Sequence, residues 1–449
     1  MILGLVINAC GQTNRATVAV PTPIPALTKT PSPTSSPTPS PTATLTPFPQ
    51  LSGNKPYLMV QQDDQTFLEY DANGFGRKVV QLPPDGFIPW VNSSLKKIVS
   101  PDGKWLAFYT GNFEYTDTPE KLPITLKLLN INDGTVIKVA DIVADGYKEK
   151  LDRVAEKLKV LYPDFYKPMD SIDWVSRSVI SAFEWSIYSV SWSPDGHTLA
   201  FAAQIDGDSS DVYLYNLETG SIQHLENTVQ SVFNVNWSPD GEFIVFENSM
   251  PGYIYDGEAL YVVKPGNQVV DNLQPLYSQT WLYVGEWLSP DFLLIADGTD
   301  TAGNFVLQIL NITTGQLKVL WPDAFGSYAV DTESRTILLN TSEFADPETM
   351  GLYFVSFDGK QQKIFNGLYY LENFFRGGAK HRFLINGVGG DETKDQYIIH
   401  GDVVGLDLNG TPMALGKFEY NKIVISPDNT WLLMYDKEKL YLYDTNDDL

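Results

Sequence analysis

Three aspartates, Asp206, Asp208 and Asp211, crowd a short Gly- and Ser-containing stretch. Carboxylate oxygens at that spacing suit a hard cation such as calcium, which draws several oxygen ligands from one loop. The bidentate glutamate that closes the familiar calcium loop is missing downstream, and acidic loops also serve solubility alone. Calcium is the one cofactor the sequence suggests. The four histidines, His197, His224, His381 and His400, fall on separate turns and strands. Nothing in the sequence brings them within the few ångströms that a metal or general-base cluster needs. No Gly-x-Ser-x-Gly elbow and no phosphate-cradling glycine loop is present. Cys10 is the one cysteine, so neither a disulfide framework nor a cysteine metal site can form. The remaining chemistry is that of paired carboxylates, as in glycoside cleavage, and no pair among the 55 acids is singled out. The expectation is therefore a non-catalytic, binding protein; the alternative is a carboxylate-based glycoside hydrolase or lyase using acids of its loops.

The charge balance narrows the partners. With 55 Asp and Glu against 31 Lys and Arg, the 449-residue chain carries a formal net charge of -24. Such a surface repels phosphate backbones, which argues against nucleic acid. Aromatic residues make up 13% of the chain, a composition suited both to strands and to peptide or carbohydrate surfaces. No apolar run reaches the length of a membrane-spanning helix. A monomer is expected, with a protein, peptide or glycan ligand.

The elements that must position any site repeat along the chain, and a period of 40 to 50 residues marks a propeller-type array. The unit Val190-Ser-Trp192-Ser193-Pro194-Asp195-Gly196, followed by Leu-Ala-Phe201, recurs as Val235-Asn-Trp237-Ser238-Pro239-Asp240-Gly241, followed by Ile-Val-Phe246. Weaker copies surround Pro101, Pro290 and Pro427. Proline presets φ at the first central position of a turn, aspartate bonds its own backbone, and glycine accepts positive φ. With apolar strands on either side, the motif is a β-hairpin and its aspartates are structural. A third strand follows, as in Val212 to Tyr215 or Leu352 to Val355. It turns at Asn216 to Gly220 or Asn311 to Gly315 into a fourth, such as Ser221 to Leu225. Four antiparallel strands at this period make one propeller blade.

These Trp-Ser-Pro-Asp-Gly hairpins resemble the TolB-type and WD-like propeller repeats of bacterial envelope proteins, over the chain from Tyr57 to its end. The resemblance implies an all-β fold, a single β-propeller over residues 53–449, and leaves function open. Inner strands before Pro101, Pro194, Pro239, Pro290, Asp331, Gly378 and Pro427 give seven blades, with six and eight as alternatives because the stretch from Tyr57 to Leu82 reads as three more strands. Pairing of that stretch with the C-terminal hairpin is expected to close the ring and remove a free edge.

The N-terminus carries a different signal. Ile7-Asn8-Ala9-Cys10 ends a short apolar stretch and resembles the lipobox of bacterial lipoproteins, in which cleavage before the cysteine precedes lipidation of its thiol. The apolar run is shorter than a signal core and no Lys or Arg precedes it, as a start codon placed too far downstream would produce. Residues 1–10 are thus a truncated signal and lipobox, and 11–52 a Pro/Thr/Ser-rich tether. At roughly 3.1 Å per residue, this tract could hold the propeller up to ~100 Å from a membrane. The expected location is extracytoplasmic, anchored through Cys10.

In a propeller the second-to-third-strand loops and the inter-blade connections share one face. Here those loops are long and individual, with Phe113, Tyr115, Tyr253, Tyr255 and Phe344 among acidic residues, whereas the hairpin turns are short and repetitive. Variable loops on a rigid scaffold are where function concentrates, so this face is the candidate binding surface. Residues 141–180 form an insertion on the same face. There Leu151, Val154, Ala155, Leu158 and Leu161 recur at helical spacing up to Pro163, with Lys148, Lys150, Arg153, Lys157 and Lys159 alongside and Trp174 beyond. Either the apolar stripe simply packs on the propeller, or the helix caps the central channel and Trp174 joins the binding face.

Overall fold

The computed structural model describes residues 57–61, 66–71, 77–88, 95–111, 124–142, 189–205, 210–226, 232–248, 258–266, 269–270, 273–279, 282–298, 305–342, 344–366, 370–376, 383–389, 402–417, 422–425, 431–435 and 440–444. They form eight antiparallel sheets, each a meander of consecutive strands. The first holds β1 (Tyr57–Gln61), β2 (Thr66–Asp71) and β3 (Arg77–Gln81). The second holds β4 (Gly86–Phe87), β5 (Trp105–Thr110), β6 (Thr125–Asn130) and β7 (Val136–Asp141), with a four-residue helix α1 (Leu95–Ile98) between its first two strands. The third comprises β8 (Val190–Trp192), β9 (Thr198–Ala203), β10 (Asp211–Asn216) and β11 (Ile222–His224). The fourth comprises β12 (Val232–Trp237), β13 (Ile244–Asn248), β14 (Glu258–Val263) and β15 (Tyr277–Gln279). The fifth runs through β16 (Leu282–Ser289), β17 (Phe292–Gly298), β18 (Phe305–Asn311) and β19 (Leu317–Trp321). The sixth runs through β20 (Phe325–Asp331), β21 (Thr336–Thr341), β22 (Gly351–Ser356) and β23 (Gln361–Asn366). The seventh contains β24 (Tyr370–Arg376), β25 (Phe383–Gly389), β26 (Asp402–Leu406) and β27 (Pro412–Lys417). The eighth contains β28 (Lys422–Ile425), β29 (Trp431–Tyr435) and β30 (Leu440–Asp444).

Burial shows how the sheets are arranged. The second strands β5, β9 and β21 are buried at every position after the first, and a strand buried on both faces reads as a continuous apolar run. The fourth strand β19 begins with three exposed residues, so it lies at the periphery. The buried residues form clusters that each span neighbouring sheets. One joins the first three, from Val80 through Phe108 to Phe201. Others join the third to the fourth, the fourth to the fifth, the fifth to the sixth and the sixth to the seventh. First strands of successive sheets lie side by side, as β8 beside β12 and β20 beside β24. Sheets that pack face to face in chain order, with first strands inside and fourth strands outside, are the blades of a propeller. Polar bonds reinforce the seam: the Ser189 and Ser191 hydroxyls accept the backbone N–H groups of Val235 and Trp237 at 2.5 and 3.2 Å, and the Trp192 indole donates to the Ile98 carbonyl at 3.2 Å.

The repeat motif is a lock at one end of the array. In the copy at Pro101 and in the two clear copies, the Ser100, Ser193 and Ser238 hydroxyls donate to Asp102, Asp195 and Asp240 at 2.6 Å. Each serine oxygen also accepts the N–H five residues on, from Trp105, Thr198 and Phe243. Gly103, Gly196 and Gly241 sit at φ 70, 76 and 75°, where a side chain would be strained. Side chains added at Gly196 and Gly241 would meet the motif prolines of the preceding blade, Pro101 and Pro194, at 3.6 Å. The sixth blade has neither proline nor glycine here; Arg335 adopts the positive φ (55°) and its guanidinium covers Phe357 at 5.3 Å from the ring centre.

Two sequence expectations change. The described residues form eight sheets, the upper of the counts considered and one more than the seven preferred, because Tyr57–Gln81 builds a sheet of its own. The expected strand exchange between the chain ends is not seen among the described residues. β1 lies beside β28, but each belongs to a separate three-stranded sheet. The physical reason is that β1, β2 and β3 satisfy one another's ladders with in-register hairpins, leaving closure to packing of first strands. The 1–10 signal with Cys10, the 11–52 tether, and nearly all of the 141–180 insertion with Trp174 lie outside the described residues.

Candidate functional site

Because strands alternate in direction, the locked hairpin turns occupy one end and the second-to-third-strand loops and blade connections occupy the other. Of the sequence-picked loop residues, Phe113, Tyr115, Tyr253 and Tyr255 lie outside the described residues. Phe344 is 65% exposed, between β21 and β22. Its loop is tied down. The Thr349 hydroxyl donates to Asp323 on the incoming blade connection at 2.7 Å, and the Asp346 carboxylate accepts the Glu348 N–H at 2.9 Å. The Tyr353 hydroxyl donates to the Thr349 carbonyl at 2.6 Å, fixing the loop to β22. Tyr283, at the same end of β16, is 46% exposed and meets Phe305 edge-on at 5.0 Å between ring centres. An ordered loop and a paired ring present apolar area with little entropy left to lose on binding.

Of the aspartate triplet, one member falls within the described residues. Asp206 and Asp208 lie outside them, while Asp211 opens β10, is buried, and stands 3.1 Å from His224 Nε2. The His224 ring stacks on Tyr213 at 4.7 Å, so this pair is woven into the outer half of the third blade. No group of three or more metal-ligating side chains occurs among the described residues.

A polar cluster that sequence reasoning missed lies at the same end, on the inner strands. The inner strands β12, β16, β20 and β24 each break register with their partners by a bulge near this end. Bulges re-aim side chains, and they gather next to functional sites. In β12 the bulge carries Asn234, which is held at φ 52°, an uncommon conformation outside glycine. Asn234 donates to the buried Glu247 carboxylate and accepts from Asn236 at 3.0 Å. Its side-chain oxygen also accepts from Lys97 at 2.8 Å, reached from α1 across the third blade. Burial pushes the Lys97 ammonium down to about 8, against the opposing pull of Glu247. One signal could have found this cluster. In the repeat, Asn234 and Asn236 replace Ser189 and Ser191, and Glu247 stands where the sister blade has Ala202. A charged residue at a position buried in every clear copy is a departure that packing does not require.

In β16, the bulge carries Gly285 and Glu286. The Tyr328 hydroxyl of the next blade lies where a Gly285 side chain would begin. Burial raises the Tyr328 phenol well above its usual range, with the Glu286 charge adding to the shift.

Packed antiparallel blades of three or four described strands, locked at one end and individually elaborated at the other, define the chain as a β-propeller. No protein-family model and no curated protein matches it. Among solved structures it is similar to TolB from Acinetobacter baumannii, at 16% identity over 68% of this chain and 62% of that one, with a TM-score of 0.36. This match thus spans less than two thirds of TolB. It is also similar to the β-propeller domain of the Trilobed protease from Pyrococcus furiosus (13% identity, 87% and 94% covered, TM-score 0.41) and to an oligogalacturonate lyase in complex with manganese (12%, 87% and 96%, TM-score 0.46). The propeller assignment rests on the sheets themselves.

Proposed function

We propose that this chain is a binding scaffold: an extracytoplasmic propeller, held at the cell envelope by a lipid on Cys10, that engages a protein, peptide or glycan with its loop-bearing end. The observation that carries this is the presentation of Phe344 on a loop fixed by Asp323 and Thr349. An exposed aromatic side chain on a preordered loop is the usual anchor of a binding surface. The lipobox-like Cys10 and the proline-rich tract support the tethered, outward-facing placement, since a spacer lets such a surface reach partners beyond the membrane.

The test compares the full chain with a Phe344→Ser, Tyr283→Ser variant on peptide and glycan arrays. Both side chains are well exposed, so folding should survive. Capture by the wild type that falls at least about tenfold in the variant is expected, the scale of losing a buried aromatic anchor. Equal capture by both, or turnover of the glycans, would overturn the proposal. Expressed behind a lipoprotein-type signal peptide, the Cys10→Ser variant should move from the membrane to the soluble fraction; retention in the membrane would refute the lipid anchor.

A further inference from the structure

We propose that Lys97, with Asn234 and Asn236, forms a subsite for the carboxylate of a small ligand at the inner edge of the binding end. This rests on the reading that the loop-bearing end binds ligands, and it names the chemistry of one part of that end. Three observations carry it.

The first is the state of the ammonium. Lys97 is half-buried and, among the described residues, makes one hydrogen bond, to Asn234 at 2.8 Å, so two of its three N–H donors remain for a ligand or solvent. Glu247 lowers the cost of the charge from a distance but forms no ion pair with it. An ammonium partly withdrawn from water without a paired carboxylate carries a cost that a ligand anion would relieve. The chain carries an excess of acids, so a lysine unpaired at such a place is not explained by scarcity of partners.

The second is preorganisation. Asn234 Oδ1 is flanked by the Lys97 ammonium and, at 3.0 Å, by the Asn236 amide, whose nitrogen also donates to the Asn234 carbonyl at 2.9 Å. Among the described residues, the Asn236 side-chain oxygen accepts no hydrogen bond. The site therefore offers a cationic donor and, next to it, a neutral acceptor. A carboxylate with a hydroxyl or amide N–H beside it matches that pair. A uronic acid and a peptide C-terminus both have this chemistry.

The third is backbone strain. Asn234 keeps a left-handed conformation inside a bulge, and strain of this kind persists where the surrounding structure holds a functional geometry.

The experiment is calorimetric titration of the full chain with two acid probes, D-glucuronate and N-acetyl-alanyl-alanine, and with their neutral counterparts, D-glucose and the peptide amide. Inorganic phosphate is the control anion. The expected result is a preference for acid over neutral counterpart of about tenfold or more, the scale of a charge-assisted hydrogen bond. Whichever acid binds identifies the source. The preference should vanish in Lys97→Met, survive in Lys97→Arg, and fade as the pH is raised through about 8. Glu247 is the charged side chain that the packed strands bring toward Lys97; β5, β8 and β12 contain none, and Lys96 precedes it on α1. The Lys97 ammonium therefore sets the profile.

Equal binding of acid and neutral probes, an undiminished preference in Lys97→Met, or phosphate bound in place of both acids would overturn the subsite. Should Lys97→Met fail to fold, the wild-type comparison decides alone. Array capture that persists without any acid preference removes the subsite and keeps the binding end. Acid preference without array capture does the reverse.

Discussion

Replacing Phe246 by alanine should lower the unfolding free energy by about 3–5 kcal/mol, the range for deleting a fully buried aromatic side chain. Phe246 is completely inaccessible on β13 and stacks on Tyr261 at 5.6 Å with rings 12° apart. It packs among Val235 and Ile244 of its own blade and Ala200, Ala202, Val212 and Leu214 of the preceding one. The cavity would therefore open in the seam between blades, where two sheets would have to move together to fill it. The Phe292→Ala substitution is the control: that ring is 41% exposed on β17, and its loss should change stability by no more than about 0.5–1 kcal/mol. Urea unfolding followed by tryptophan fluorescence measures both. A cost at Phe246 no larger than at Phe292 would mean that the third and fourth sheets do not share a core.

The second large effect concerns the close approach at the β16 bulge. A methyl group at position 285 would collide with the Tyr328 hydroxyl and lie 3.0 Å from the Leu294 carbonyl. Overpacking of this kind costs about 1–3 kcal/mol. The contact makes a specific demand: removing the hydroxyl with Tyr328→Phe should recover part of the loss in the double variant. The two sites then couple, as residues in contact do. Strictly additive single effects would show that the blades are not apposed there.

What the sequence made legible follows from the range of each interaction. The Ser-Pro-Asp-Gly turns were readable because every partner lies within five residues, from the Ser193 hydroxyl on Asp195 to the N–H of Thr198. The third and fourth strands were readable for the same reason, since Asn216 caps its own turn at Thr219 and Gly220 supplies the positive φ. Closure was not readable. Whether Tyr57–Gln81 pairs with the distant C-terminal strands or with itself depends on competition between local hairpins and a long loop closure, and the local hairpins win.

The candidate site divides along the same line. Phe344 is conspicuous in the sequence as a large apolar residue among acids in a loop, and its side chain is 65% exposed. Asp211, grouped in the sequence with Asp206 and Asp208, opens β10 and lies 3.1 Å from His224 on the neighbouring strand, a pairing that the spacing of the acids does not reveal. Lys97 could not be placed, because its partner Asn234 is 137 positions away and is reached only through a helical turn that interrupts the second blade. The substitution of Glu247 for the alanine of the sister blade was visible, yet its meaning needed the geometry.

The central claim is a ring of blades in which the first sheet stands beside the last, leaving one locked end and one binding end. Disulfide trapping tests it directly. Single cysteines are scanned through 57–61 and 422–425 in a Cys10→Ser background, with pairs between 57–61 and 282–289 as controls. Mild oxidation should yield a cross-linked, faster-migrating chain for at least one pair joining β1 to β28 and for none joining β1 to β16. Cross-links between β1 and β16, or none between β1 and β28, would contradict the closed ring.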